Sequence, residues 1–188
     1  MLSILRYALG VYRRWKGSES RIIVCSSPPP FDVFINHRGV DTKRNVAALL
    51  YDRFLHLKLN PFLDYRSMKP GDELKEVIET AIRNCKVGVA FISPNYCTSE
   101  NCLHELALLM ECKKKVIPIF YDINPSALVL VDNGSFPAKH LHRFRLALEL
   151  AKGRVGISFD SSIGDWSILL KQISDRVMEV LIELDQRQ

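Results

Sequence analysis

Most of the short motifs that announce nucleotide- or metal-dependent chemistry are missing from this 188-residue chain. There is no GxxxxGK[ST] to cradle a triphosphate, no GxGxxG to seat a dinucleotide, and no GxSxG to present a nucleophilic serine. His104-Glu105 opens an HExxH pattern, but Leu108 stands where its second histidine belongs, which excludes that zinc-protease class. The five cysteines form no CxxC pair. An odd count without a clear secretory signal points to reduced thiols in an intracellular compartment, cytoplasmic or nuclear. No apolar stretch approaches the roughly 20 residues that span a bilayer, and no internal repeat is present. Charge of one sign is also scarce in the body of the chain. Lys and Arg number 26 against 21 Asp and Glu, a net charge of +5. Residues 1–29, with Arg6, Arg13, Arg14, Lys16 and Arg21 against Glu19, carry +4 of it. A nucleic-acid domain concentrates positive charge on a face of its fold. Here the main run, Lys113 to Lys115, reads as a solvated helix end, where cations suit the dipole.

What is present is ordinary for a globular protein: 47% hydrophobic and 25% charged residues, enough for one domain with a full core. That composition excludes disordered, collagen-like and coiled-coil chains. The basic arm, 1–29, has three readings: an Arg-rich transit segment, a short interfacial helix, or an extension without address. Pro28 to Pro30 then stop any helix. From residue 30 on, short apolar runs alternate with amphipathic stretches. Phe31 to Ile35 predicts a strand. Val46, Leu49, Leu50, Phe54 and Leu57 predict a helix face, and Asn60 to Leu63 a second strand. Leu74, Val77, Ile78, Ala81 and Ile82 recur at helical spacing. Val87 to Ser93 is almost wholly apolar, as a strand buried on both faces should be. A helix through Leu103, Leu106, Ala107 and Met110 follows, then a strand Val116 to Tyr121, a helix Phe136 to Lys152, and a weak strand Val155 to Ser158. A final helix aligns Trp166, Leu169, Leu170, Ile173, Val177, Val180, Leu181 and Leu184.

Strand–helix alternation of this kind gives right-handed crossovers and a parallel sheet covered on both faces. Five strands suit the flavodoxin-like order 2-1-3-4-5, with ligands at the carboxyl ends of the strands. The loops there begin at Asn36, Asp64, Ser93 and Asp122. A phospho-receiver shares this topology, but strand three ends in Ser93-Pro94 rather than Asp, and no Lys follows the last strand. His140 and His142 lack a nearby cysteine and read as helix surface; no metal site is expected. Cys102 and His104 fall on different sides of their helix, which disfavours a nucleophile pair. Glu105 is the acid to single out. Two residues after Leu103, it points about 200° from that core position and sits close to the carboxyl rim. From spacing alone it equally suits a helix N-terminus, as Ser99 suits a helix cap.

Four ordered motifs then carry a resemblance. Asp32-Val-Phe-Ile-Asn-His-Arg-Gly-Val-Asp-Thr42 resembles the DVFxSFRGxDT opening of plant TIR (Toll/interleukin-1 receptor) domains. Ser93 to Leu106 resembles SxNYxxSxWCLxEL, Val116 to Ser126 resembles VIPIFYDVDPS, and Gly134-Ser-Phe136 matches GSF. The resemblance runs from about Phe31 to the end, so residues 30–188 are expected to form a TIR domain of the TIR-only type. It implies the flavodoxin-like fold and an NAD+ glycohydrolase whose catalytic residue is Glu105. The products would be nicotinamide with ADP-ribose or a cyclic form, signalling in plant innate immunity; NAD+ is the substrate and no metal is needed. Arg38 and Gly39 match the nucleotide-lining pair, and Ser99 the serine near the catalytic acid. Tyr65 to Asp72, with Arg66, matches the BB loop, which contacts ligand and a neighbouring protomer. Departures from the pattern are Asn101 for Trp in the pocket wall, His37 for Phe, Ala47-Ala48 for the Ser-His of a self-association helix, and Lys69 in the BB loop. A non-catalytic module docking onto other TIR proteins is the second reading.

Overall fold

In the computed structural model, residues 31–130 and 136–186 are described; the basic arm, Cys25 and the Gly134-Ser135 part of the GSF motif lie outside them. The sheet is built from β1 (Val33–His37), β2 (Pro61–Phe62), β3 (Val87–Ile92), β4 (Lys115–Tyr121) and β5 (Ile157–Phe159). All neighbouring pairs are parallel, in the order β2-β1-β3-β4-β5. This is the expected flavodoxin-like order. Among the described residues the helices are α1 (Gly39–Thr42), α2 (Val46–His56), α3 (Asp64–Ser67), α4 (Leu74–Asn84), α5 (Glu100–Glu111), α6 (Ala138–Lys152) and α7 (Trp166–Asp185).

Strand side chains alternate between the two faces, and the core divides accordingly. Phe34, Ala90, Ile92, Val116 and Phe120 pack under α4, α5 and α6. Val33, Ile35, Val87, Val89, Phe91, Ile117 and Ile119 pack under α2 and α7. Helix α5 comes unusually close to the sheet at Gly88, where an added Cβ would lie 3.0 Å from Leu109 Cδ2. That close approach seats the helix carrying Glu105. In the BB loop, Gly71 at φ 95° takes the left-handed turn that favours glycine, and Asp72 closes the turn by accepting from the Lys69 N–H at 2.8 Å.

Several sequence expectations need correction. Leu49, Leu57 and Leu74 are exposed rather than core-facing. Helix α2 turns Val46, Ala47, Leu50 and Phe54 inward instead; at about 100° per residue Leu49 falls outside that arc, and Leu57 follows the last helical residue as its C-cap. Ala47 is fully buried in that face, so it is a core residue and only Ala48 reaches the surface. Strand β1 extends two residues beyond Ile35, which places Asn36 inside the strand rather than in the loop. Val155 is fully exposed, and β5 begins only at Ile157 where it can pair with Ile119. Helix α6 starts at Ala138, because Pro137 donates no N–H and serves as its cap.

Candidate active site

The end of β1 supplies two consecutive polar side chains to a buried position. Asn36 and His37 are both buried and, being neighbours on a strand, point to opposite faces. Asn36 follows Phe34 toward α5. Its Nδ2 donates to Glu105 Oε2 at 2.8 Å and to the Cys102 carbonyl at 3.3 Å. Its Oδ1 accepts from the Tyr96 hydroxyl, which also lies 3.1 Å from the Cys102 carbonyl. Two acceptors on one side and a phenol donor on the other settle the amide orientation. Tyr96 is fully buried, and burial holds its phenol well above the ordinary range, so it remains a donor.

Glu105 is partly buried, with Asn36 as its donor. Among the described residues no cation pairs with it. Burial pushes its carboxyl up to about 7, against the Asn36 hydrogen bond, and the like charge of Asp64 adds to the rise. Cys102, one turn earlier, is buried with its thiol raised to about 12 and its Sγ donating to the His37 carbonyl at 3.3 Å. It is an inert packing thiol, and the described cysteines are all free. His104 faces the other way, toward α4 and α6, so no Cys–His nucleophile pair exists.

The sequence-selected residues fall into two groups. Ser99 caps α5: its Oγ accepts from the Cys102 N–H at 3.3 Å, and this fixes the first turn that carries Glu105. Arg38 stands beside the site between Asp41 and Cys102, and its Nε is buried without a hydrogen-bond partner. Gly39 begins α1, and a Cβ there would meet only the Lys43 side chain at 4.0 Å. Asn101 is exposed on the first turn of α5. Arg66 is turned elsewhere, toward Asp52 at 3.8 Å and the faces of Tyr51 and Tyr65, each 5.9 Å away. Sequence reasoning reached Asn36 and Asp64 only as loop starts, Tyr96 only within its motif, and His37 only as a departure from the family pattern.

Asp41 ties the loop after β1 to the loop after β3, accepting from Ser93 Oγ, from the Asn95 N–H at 3.1 Å and from Asn95 Nδ2 at 2.7 Å. Two clefts lie apart from Glu105. One of about 1280 Å³ is at the amino ends of β4 and β5; the other, about 670 Å³, is at their carboxyl ends. Neither is lined by Glu105. No group of three or more His, Cys, Asp or Glu among the described residues is placed to hold a metal. No helix among them is long and apolar enough to cross a membrane.

A carboxylate at the carboxyl rim of this sheet, in this motif, agrees with what the chain matches. The family model for the TIR domain matches residues 30–183. The chain belongs to the TIR domain family. It is 50% identical over 172 residues to the probable 2′ cyclic ADP-D-ribose synthase BdTIR of Brachypodium distachyon, covering 89% of this chain and 77% of that protein. It is 36% identical to the TMV resistance protein N of Nicotiana glutinosa over 105 residues, 54% of this chain but 9% of that much longer protein. Among solved structures, the TIR domains of the activated Roq1 resistosome superpose with a TM-score of 0.67 at 26% identity, covering 78% of this chain and 99% of theirs. This TIR domain therefore has relatives named as a probable cyclic ADP-ribose synthase and as a plant resistance protein.

Proposed function

We propose that this TIR domain is an NAD+ nucleosidase that breaks the nicotinamide–ribose bond and makes ADP-ribose or its 2′-linked cyclic form as a signal in plant immunity. The observation that carries this reading is Glu105, a rim carboxylate held by a neutral donor and lacking a cationic partner among the described residues. The synthase named above, which is 50% identical over 89% of the chain, supports it.

The chemistry follows from the charges. The nicotinamide ring of NAD+ already carries a positive charge, so it leaves with the bonding electron pair as a neutral base and needs no acid. The ribosyl carbon becomes oxocarbenium-like, as in other glycosyl cleavages. A carboxylate fixed against it stabilises that developing charge. A carboxylate tied to an arginine would have its charge already matched; one bonded only to an amide keeps it available. The attacking water, or the hydroxyl that closes the cyclic product, loses a proton, and a carboxyl poised near 7 is matched to accept it. Arg38, with its unpartnered Nε, is the group here for the pyrophosphate. Gly39 opens the backbone beside it and Ser99 sets the helix turn. Asn101 presents a small polar surface where the family pattern has an aromatic wall. Following the family resemblance, we assign a second TIR protomer to the site, with the BB loop and Arg66 at the contact.

The test is nicotinamide release from NAD+ by concentrated protein under crowding. Wild type should release nicotinamide, and Glu105→Ala should lower the rate at least about 100-fold. Equal inertness of both proteins rejects the enzyme in favour of a docking module.

A further inference from the structure

Strands β4 and β5 carry a cleft at each end, and the two clefts are opposite in charge. The one at the carboxyl ends is lined by Asp122 and Asp160 and by no Lys or Arg. The one at the amino ends, about 1280 Å³, is lined by Lys113, Lys114 and Lys115 from the turn between α5 and β4, and by Arg154 from the segment before β5. Helix α7 forms another wall and adds Asp175, Arg176 and Glu179. Both of these acids are already matched. Asp175 accepts from Lys171 at 2.6 Å, and Glu179 from Arg176 at 2.9 Å. Among the described residues no acid pairs with the three lysines or with Arg154.

Helix capping accounts for one of these four cations. Lys114 Nζ donates to the Arg83 carbonyl at 2.7 Å, in the last turn of α4. It does not account for Arg154, which is half-buried and whose one hydrogen bond, from Nη1 at 3.2 Å, goes to the Val116 carbonyl of β4. A guanidinium has five N–H donors, so most of this one faces the cleft without a protein acceptor. Burial lowers its pKa from the ordinary value, and no acid opposes that cost. Gly156 makes the placement possible: a Cβ there would lie 2.6 Å from the Pro118 carbonyl oxygen and from Phe120 Cε2. Without one, the segment presses onto β4 and carries Arg154 over Val116.

We propose that the amino-end cleft is a binding site for a ligand with two neighbouring phosphate groups, held by Lys113, Lys115 and Arg154. A planar guanidinium meets phosphate oxygens two at a time, and the lysines add point charges. Concave walls focus the field of the unmatched cations. The volume exceeds the roughly 300–1,000 Å³ of common ligand sites, so a nucleotide-sized molecule fits. Val155, fully exposed, offers it an apolar surface. A nucleoside diphosphate and a bisphosphorylated lipid headgroup share this chemistry. The seven residues of β4 put the cleft about 20 Å from the carboxyl rim, so the site is separate from Glu105 and does not rest on the NAD+-cleaving reading.

The experiment is an amide NMR titration of the full chain with ADP at fixed ionic strength, beside sedimentation with phosphatidylcholine vesicles that contain or lack phosphatidylinositol bisphosphate. Saturable shifts at residues 113–115 and 154–156 identify a free nucleotide as the ligand. Sedimentation only with the bisphosphate vesicles identifies the headgroup. In either case Lys113→Glu with Lys115→Glu should weaken binding at least about tenfold. Both side chains are exposed and unpaired, so this variant tests the site without threatening the fold. Arg154→Gln, which keeps an N–H for the Val116 carbonyl, should weaken binding by a similar factor. Arg38→Gln, at the other end of the sheet, should leave the shifts at 113–115 and 154–156 unchanged. Binding of neither probe, or binding that survives both amino-end variants, overturns the proposal. So does tight binding of a DNA duplex that ADP does not displace, because the cations would then serve a polymer backbone.

Discussion

Helix α5 carries three glutamates, and the fold treats two of them, Glu105 and Glu111, in opposite ways. Glu111 lies at its carboxyl end, where Arg143 of α6 donates to both of its oxygens at 2.5 and 2.9 Å. Arg143 also donates to His104 Nδ1 at 2.8 Å, which leaves Nε2–H to reach Glu79 of α4 at 3.3 Å. The Arg143 hydrogen bond holds the Glu111 carboxyl below its ordinary value. Glu105, on the same helix, is met by one neutral amide and is raised to about 7. Residue type and helix are shared, so the difference comes from the partner. Where a carboxylate clamps helices together, the chain supplies a guanidinium; to Glu105 it supplies only a dipole.

The largest break in this contrast is Asn36→Ala. It strips the donor from Glu105 and leaves Tyr96 and the Cys102 carbonyl without their shared partner. Removing the centre of a buried network costs about 2–3 kcal/mol, measurable by urea unfolding. Without the amide the ionised carboxylate loses support, so the acidic limb of the rate profile should move to higher pH.

Next comes Glu105→Gln, which tests whether the acid is kept at the expense of stability. The folded carboxyl is raised from 4.5 to about 7, so ionisation opposes folding. Wild-type stability is therefore full below about 4.5 and falls as pH rises through about 7. Gln keeps an oxygen for Asn36 and has no charge to bury. It should be more stable than wild type by on the order of 1–2 kcal/mol at pH 8, discounted because part of the side chain reaches solvent. The gain should vanish at pH 4. A gain that is the same at both pH values would contradict the raised carboxyl.

The smallest effect is expected at the clamp. Arg143→Met should cost about 1 kcal/mol or less, because the pair is partly exposed and screened. It should leave the pH profile of nicotinamide release unmoved, in contrast to both changes at the other end of the helix.

Much of the fold was legible in order and type. The apolar run Val87 to Ile92 and the face of α7 have periods that only a buried strand and an amphipathic helix satisfy. Boundaries were less legible: Leu49 and Leu57 are apolar and suitably spaced, but Leu49 lies outside the arc of Val46, Leu50 and Phe54, and the helix ends one residue before Leu57. At the site, Glu105 was found through its motif and Ser99 through its capping position. Asn36 was read as the start of a loop, and Asp64 only as another.

The sequence by itself determined the alternation of strands and helices, the parallel sheet, and the motif that marks Glu105, because these depend on local periodicity and on residues close in the chain. Only the tertiary structure decided the state and company of that carboxylate. The Asn36–Glu105 bond spans 69 residues and the His37–Asp64 contact 27. Both exist because β1 pairs with β3 and β2 in one register and α5 settles onto Gly88. Desolvation and hydrogen bonding act through space, so the chemistry of Glu105 is fixed by neighbours that its own segment of sequence does not contain.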